Sequence, residues 1–325
     1  MKNRRLAEPP IVPVDIPPPV LVLTGPTGTG KSDWSTRIAE ELSLEIVSVD
    51  SALVYRGMDI GTAKPERSVR ERIPHHLIDI LDPSESYSAG RFAADCTRLI
   101  AEIQQRGRTP LLVGGTMLYL RALLGGMAEL PRGSLELRRE IDARADQLGW
   151  PALHAELARL DPLAAARIHP HDPQRIQRAL EVCYVTGRPI SLLQRATQPQ
   201  LSARLLRWAL APGERDALHA RLEQRFERML SRGFLAEVAR LHDRGDLSPR
   251  LPALRAVGYR QLWAHLEGEL PFAEACARAL AATRQLAKRQ LTWLRADREI
   301  KWIDPFAPRA YEKWRAELQR ELIGP

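Results

Sequence analysis

Cysteine is scarce in these 325 residues: only Cys96, Cys183 and Cys276, far apart and never as C-x-x-C. That spacing excludes a disulfide framework and a cysteine-based structural zinc site. Long apolar runs are also missing. No stretch reaches the roughly 18 apolar residues that a membrane helix needs, so no membrane association is expected. Lys2, Arg4 and Arg5 stand at the N-terminus without an apolar stretch behind them, so no secretory signal is expected and the cytoplasm is the default location. His75 and His76 are adjacent, but no further His or Cys at ligand spacing completes a metal site, and a solvated or hydrogen-bonded pair is expected. Acidic charge is in deficit. Lys and Arg number 48 against 40 Asp and Glu, a net charge of +8, and most of the cations are arginine. Guanidinium groups pair bidentately with phosphate and stack on bases, so the balance favours a polyanionic partner while remaining compatible with an ordinary basic surface.

What is present begins with a proline-rich arm over residues 1–19, read as flexible and outside the fold. Val20-Leu21-Val22-Leu23-Thr24 then reads as a buried parallel strand. It runs into Gly25, Pro26, Thr27, Gly28, Thr29, Gly30, Lys31 and Ser32, which fit G-x-x-x-x-G-K-[ST]. From Asp33 a helix is expected, with Trp34, Ile38 and Leu42 on one face. Strand, glycine-rich loop and helix together make a phosphate cradle. Backbone N–H groups turn inward, the helix N-terminus adds positive potential, Lys31 reaches an outer phosphate and the Ser32 hydroxyl can hold Mg²⁺.

Leu44 to Val49 reads as a second strand ending in Asp50, which a doubly wound sheet would bring to the ligand side. A polar loop with two glycines follows over 55–65, and His75 to Ile80 reads as a further short strand. The strand at Thr109 to Gly114 ends in Gly114-Gly115-Thr116. A core strand of this kind in most P-loop NTPases ends in an aspartate that serves Mg²⁺, and here there is none. An ordinary ATPase is therefore disfavoured, and small-molecule kinases stay open.

Beyond Leu135 the pattern is helical to Val185, broken at Gly149-Trp150-Pro151, Asp161-Pro162 and the 169–173 turn. The reading is an α/β fold, a P-loop NTPase-like parallel sheet flanked by helices, with an inserted all-helical domain. The core takes 20–123 and 199–325, and the insertion takes 124–198. Leu205 to Leu210 returns as a strand, and Gly213 to Arg232 as a helix with Arg221, Arg225 and Arg228 on one face. A helix over Phe272 to Arg295 places Arg284, Lys288 and Arg295 in a stripe beside Leu280, Ala287, Leu291 and Leu294. Such a stripe suits a nucleic-acid backbone and equally a solvated face. Residues 296–325, with Trp302 and Trp314, read as packing elements.

Together these features resemble the tRNA dimethylallyltransferase family, also called tRNA isopentenyltransferase, in its bacterial form. The resemblance is carried by Gly-Pro-Thr-x-x-Gly-Lys-Ser at 25–32, by the long run from Val49 to Pro65, and by Leu112-Val113-Gly114-Gly115-Thr116-Met117-Leu118-Tyr119. Further on it rests on Asp172-Pro173-Gln174-Arg175, Val257-Gly258-Tyr259-Arg260-Gln261 and Arg284-Gln285-Leu286-Ala287-Lys288-Arg289-Gln290-Leu291-Thr292-Trp293-Leu294-Arg295. It implies transfer of a dimethylallyl group from dimethylallyl diphosphate to N6 of the adenosine just 3′ of the anticodon, with Mg²⁺ as cofactor and the chain acting as a monomer.

The resemblance gives catalytic roles to Asp50, Thr27, Lys31 and Arg225. Asp50 takes the N6 proton, with Mg²⁺ ligation as its competing role. Residues 25–32 hold the diphosphate. Contacts to tRNA fall to Asp50, Ser51, Ala52, Leu53 and Thr116, to Gln174, Arg175, Ile176, Gln177 and Arg178 on the insertion, to Arg255, Ala256, Val257, Gly258, Tyr259 and Arg260, and to Lys288 through Arg295. Many relatives carry Gln where this chain has Leu53, so no polar base contact is expected from that side chain. Two other functions use the same residues: a small-molecule or nucleoside kinase with ATP on the loop, and a non-catalytic RNA-binding protein with a vestigial loop. Intact Lys31, Ser32 and Asp50 oppose the second.

Overall fold

The structure, a computed structural model, describes residues 19–128, 130–131, 133–194, 201 and 203–323. The proline-rich arm, apart from Pro19, and the expected boundary at 198 and 199 lie outside the described residues. Strands β1 (Val20–Thr24), β2 (Leu44–Val49), β3 (His75–His76), β4 (Thr109–Gly114), β5 (Leu205–Leu210) and β6 (Lys301–Ile303) form one sheet. Their order is β3-β2-β4-β1-β5-β6, with every neighbouring pair parallel. Every residue of β1 and β2 is buried; β1 is a continuous apolar run, whereas β2 carries Glu45 and Ser48 among its apolar residues. The Glu45 carboxylate is satisfied by Arg106 at 2.7 Å and His76 at 2.8 Å.

The helices are α1 (Lys31–Leu42), α2 (Arg67–Arg72), α3 (Ala89–Gln105), α4 (Met117–Gly125), α5 (Leu135–Leu148), α6 (Trp150–Leu160) and α7 (Pro162–Ala165). Then come α8 (Pro173–Thr186), α9 (Ile190–Leu193), α10 (Arg215–Ser231), α11 (Phe234–His242), α12 (Tyr259–Leu266), α13 (Phe272–Leu294) and α14 (Ala310–Ile323). The chain divides into two compact units. One comprises Met1–Tyr87, Arg98–Met117 and Ala203–Pro325, and the other comprises Ser88–Thr97 and Leu118–Ser202.

The first unit holds the sheet. Thr24, Val49 and Gly114 lie level in register, so Gly25, Asp50 and Gly115 emerge together at the carboxyl edge of β1, β2 and β4. That is the edge where a parallel sheet gathers its ligand-binding groups. Helix α1 covers this part of the sheet through Trp34 and Ile38, and Trp34 packs on Tyr311 and Trp314 of α14 with ring centroids 5.3 and 5.4 Å apart.

Three details depart from the sequence reading. The strand expected over His75 to Ile80 stops at His76, because Leu77 and Asp79 adopt left-handed φ of 61° and 56°, which no ladder continues through. The tail supplies a sixth strand, β6, three residues long and too short to show periodicity. Trp314 is buried as expected of a packing residue, whereas Trp302 is 45% exposed.

The second unit is helical and has its own core of Ile141, Leu153, Leu157, Ile176 and Leu180. Three of its helix starts are capped by side chains: Ser134 accepts the Leu137 N–H, Asp161 that of Ala164 and Asp172 that of Arg175. Glu181, fully buried, is held by Arg138 and Arg178 and by the Ser134 N–H.

Candidate active site

The loop after β1 holds its own shape. Gly30 is the residue before α1 and has φ of 88°, a left-handed turn that a β-carbon would strain. Thr29 Oγ1 donates to the Pro26 carbonyl at 3.0 Å, and Lys31 Nζ donates to the same oxygen at 2.8 Å. The Lys31 ammonium therefore rests on the loop itself and makes no ion pair with a carboxylate among the described residues.

An open cavity of about 700 Å³, part of it continuous with solvent, lies beside this loop within the sheet unit. Its polar lining includes Thr27, Lys31, Ser32, Asp50, Arg225 and Gln290. Its apolar wall includes Ile46, Leu53, Ala63, Pro65, Ile78 and Val113. Arg225 comes from α10 and makes no hydrogen bond or ion pair among the described residues. Burial lowers both cations from their ordinary values. Burial and the nearby Arg225 charge bring Lys31 down to about 7, against the opposing pull of Asp50. Two cations held together without carboxylate ion pairs make a site that gains charge and stability when a dianion enters.

Asp50 keeps half of its carboxylate in reserve. Oδ1 accepts the Ala52 N–H at 2.8 Å and the Leu53 N–H at 3.4 Å, a turn that fixes the side chain. Oδ2 makes no hydrogen bond among the described residues. Thr116 braces the same corner: its N–H donates to the Val49 carbonyl at 3.1 Å and its Oγ1 accepts the Ser51 N–H at 3.0 Å. A carboxylate oxygen left free beside two cations can take a proton from a bound nucleophile or, with the Ser32 hydroxyl, ligate a hard cation.

The loop at 55–65 is clamped by a residue the sequence did not single out. Glu237 of α11, 1% exposed, accepts the N–H groups of Asp59, Ile60 and Gly61 at 2.7–3.0 Å and the Tyr259 hydroxyl at 2.5 Å. Lys64 closes the other end on the Tyr55 carbonyl, Asp59 and Asp79. Thr62, Ala63 and Pro65 are thereby held in the cavity wall. A lone glutamate in a helix carries no sequence signal for this role. Replacing Glu237 with alanine leaves the three amides and the tyrosine without their acceptor, and should cost about 2–4 kcal/mol, read as a lower urea midpoint.

The comparisons with known proteins give the family. The model of the IPP transferase family matches residues 53–297. The chain belongs to that family. It is 56% identical to a tRNA dimethylallyltransferase of Methylococcus capsulatus over 306 residues, 94% of this chain and 98% of the relative. It is 56% identical to another of that name from Bordetella petrii over 295 residues, 90% of this chain and 94% of the relative. Among solved structures it resembles the tRNA isopentenylpyrophosphate transferase of Bacillus halodurans, with a TM-score of 0.68 and 36% identity over 94% of this chain and 97% of that one. A eukaryotic dimethylallyltransferase described as acting on tRNA aligns with a TM-score of 0.76 and 29% identity, over 91% of this chain and 77% of that one. The P-loop NTPase-like sheet is thus the family's fold; in this chain an acid, Asp50, follows β2, and β4 ends in glycine.

The residues that the family resemblance gives to tRNA divide by exposure. Lys288, Arg289, Thr292, Trp293 and Arg295 are exposed on or at the end of α13, as are Arg255 before α12, Arg260 on α12, and Gln174 and Arg175 on α8. Ile176, Gly258, Tyr259, Gln290 and Leu294 are buried. Ile176 is helical-unit core, and the Tyr259 hydroxyl is spent on Glu237. Gln177 and Arg178 are half-buried and used internally, on Asp142 and on Glu181 with the Pro131 carbonyl. Helical periodicity explains the split, since contiguous motif residues must alternate between outward and inward faces. In the basic stripe of α13, Arg284 pairs with Glu223 at 3.6 Å, so Lys288 and Arg295 are its free cations among the described residues. The adjacent histidines are hydrogen-bonded, His75 Nδ1 to the Ile73 carbonyl and His76 Nε2 to Glu45.

Proposed function

We propose that the chain moves the dimethylallyl group of dimethylallyl diphosphate onto N6 of the adenosine 3′-adjacent to the tRNA anticodon, releasing diphosphate. The observation that carries this reading is the convergence, in one cavity with an apolar wall, of two cations without carboxylate ion pairs and a carboxylate with one free oxygen. The diphosphate lies on the backbone of residues 25–32, against Lys31 and Arg225. The five-carbon tail lies along the apolar wall. N6 attacks C1 of the allylic group, the C1–O bond breaks, and Asp50 receives the N6 proton. Lys31 and Arg225 act on the charge that grows on the departing diphosphate.

The pocket's donors suit Mg²⁺. The Ser32 hydroxyl is a hard oxygen ligand at the loop, and no group of three or more His, Cys, Asp or Glu side chains able to hold a metal occurs among the described residues. Such a site takes its remaining ligands from diphosphate and water, as Mg²⁺ does, and the ion would neutralise leaving-group charge.

A stacked base cannot reach a donor in this pocket, so the adenosine enters flipped out of the anticodon loop. The exposed cations of α13, with Arg255, Arg260 and Arg175, contact the RNA backbone, and the helical unit contacts the stem. Lys288→Ala should weaken tRNA binding and reduce the slope of log K against log salt by about 0.7–0.9, the share of one phosphate contact. An unchanged slope, measured by filter binding, would place Lys288 in solvent.

The reading extends to action as a monomer. Cys96, Cys183 and Cys276 are all free thiols, which supports a cytoplasmic site, and no helix among the described residues is long and apolar enough to cross a membrane. The experiment is a pair of incubations. Unmodified tRNA is given labelled dimethylallyl diphosphate in one, and candidate acceptors are given labelled ATP in the other. Label in tRNA from the allylic donor supports the reading, and phosphoryl transfer without prenylation overturns it in favour of a kinase.

A further inference from the structure

We propose that Gln290 is a positioning residue for the diphosphate-binding loop, although it sits within the motif that the family resemblance gives to RNA. The inference rests on the functional reading above and assigns this residue to the other substrate. Gln290 is 8% exposed and lines the cavity. Its Oε1 accepts the Thr27 N–H at 2.9 Å, and its Nε2 donates to the Gly115 carbonyl at 2.8 Å. One amide thus ties α13 to the loop after β1 and to the end of β4, across 263 and 175 residues of sequence.

The close fit confirms that the brace is built in. A β-carbon on Gly115 would stand 2.4 Å from Gln290 Nε2, so the acid-free glycine end of β4 makes room for this side chain. On α13, Gln290 shares the inward face with Ala287 and Leu294, three residues before and four after, while Lys288, Arg289 and Thr292 face outward.

The consequence falls on the reacting end of the loop. With its N–H committed to Gln290, Thr27 holds a fixed backbone, and its side-chain hydroxyl makes no hydrogen bond among the described residues although Thr27 lines the cavity. The neighbouring Pro26 carbonyl is the acceptor of Lys31 Nζ. Gln290 therefore sets both Thr27 and the resting position of the Lys31 ammonium, and so the shape that the diphosphate meets. No other uncharged side chain of this length offers an acceptor and a donor on one rigid plane.

The test uses the full-length protein and the variants Gln290→Met and Gln290→Ala. Methionine keeps volume and removes both hydrogen bonds, and Gln290→Ala repeats the test if Gln290→Met does not fold. Thermal melts establish that each variant is folded. Inorganic diphosphate and dimethylallyl diphosphate are titrated calorimetrically, and tRNA affinity is measured separately. The expected result is a loss of ~10-fold in affinity for both diphosphates and a matching rise in KM for the allylic donor, with tRNA affinity within about twofold of native. A fall in tRNA affinity with diphosphate binding unchanged would overturn the proposal and make Gln290 an RNA contact. A lower melting temperature with both affinities unchanged would overturn it in favour of a packing role. If the native chain binds neither diphosphate, the functional reading fails and this inference with it. If the native chain binds and the variants bind equally well, this inference alone fails.

Discussion

Asp50→Ala should lower kcat for prenyl transfer by more than ~10² while leaving tRNA affinity nearly unchanged. The magnitude follows from the role. An exocyclic adenine amine is a weak nucleophile, and a positioned base that removes its proton contributes about 10²–10⁴ in rate. The selectivity follows from the geometry. Asp50 Oδ1 is used on the Ala52 and Leu53 amides, so the side chain is held in place and only Oδ2 is available for chemistry. Asp50→Asn separates the two functions. Its amide oxygen can still accept the turn hydrogen bonds, so the fold of the corner survives while the base is lost. Equal rate losses in the two variants would support the base assignment. A large fall in tRNA affinity would make Asp50 a recognition residue instead, and a strong dependence of the defect on Mg²⁺ concentration would make it a metal ligand.

Lys31→Ala should cost ~10²–10³ in kcat/KM for the allylic donor, the range for removing one preorganised group that meets developing negative charge. The native enzyme should also show a pH dependence that reports this lysine. In the free protein, burial and the Arg225 charge hold Lys31 near 7. A bound diphosphate places negative charge beside the ammonium and raises that value. Below pH 7 the free enzyme already carries the proton, so affinity for inorganic diphosphate is flat with respect to this group. Above pH 7 binding must take up a proton, and affinity should fall by about tenfold per pH unit until the bound-state value is reached. Calorimetry in buffers of different ionisation enthalpy at pH 8 would register the uptake directly. Lys31→Ala should abolish both the slope and the proton uptake. A slope that persists in the variant would assign it to another group.

Much of the sheet and half of the site were legible from residues alone, for identifiable reasons. A buried strand such as β1 announces itself as an unbroken apolar run, and the phosphate loop has a motif because backbone geometry demands its glycines. The position of Asp50 followed from strand topology, since carboxyl ends gather on one edge. What escaped is tertiary. Glu237 and Gln290 are single polar residues in helices, and only the fold shows that one clamps three amides and the other bridges two loops. β3 stopped short because Leu77 and Asp79 take left-handed backbone angles that their residue types do not signal. Contiguous motifs also overstate contact. Tyr259 and Ile176 lie in stretches that the family resemblance gives to RNA, yet both side chains are buried.

The central claim is that the loop at 25–32 holds an allylic diphosphate while a tRNA adenosine takes up its five-carbon group. The most direct measurement incubates the native protein with unmodified tRNA and carbon-labelled dimethylallyl diphosphate, digests the RNA, and identifies the labelled nucleoside and its position. The result expected is label on N6 of the adenosine immediately 3′ of the anticodon, with one equivalent of diphosphate released for each label incorporated. Diphosphate released without label in RNA, or label at another nucleoside, would contradict the account.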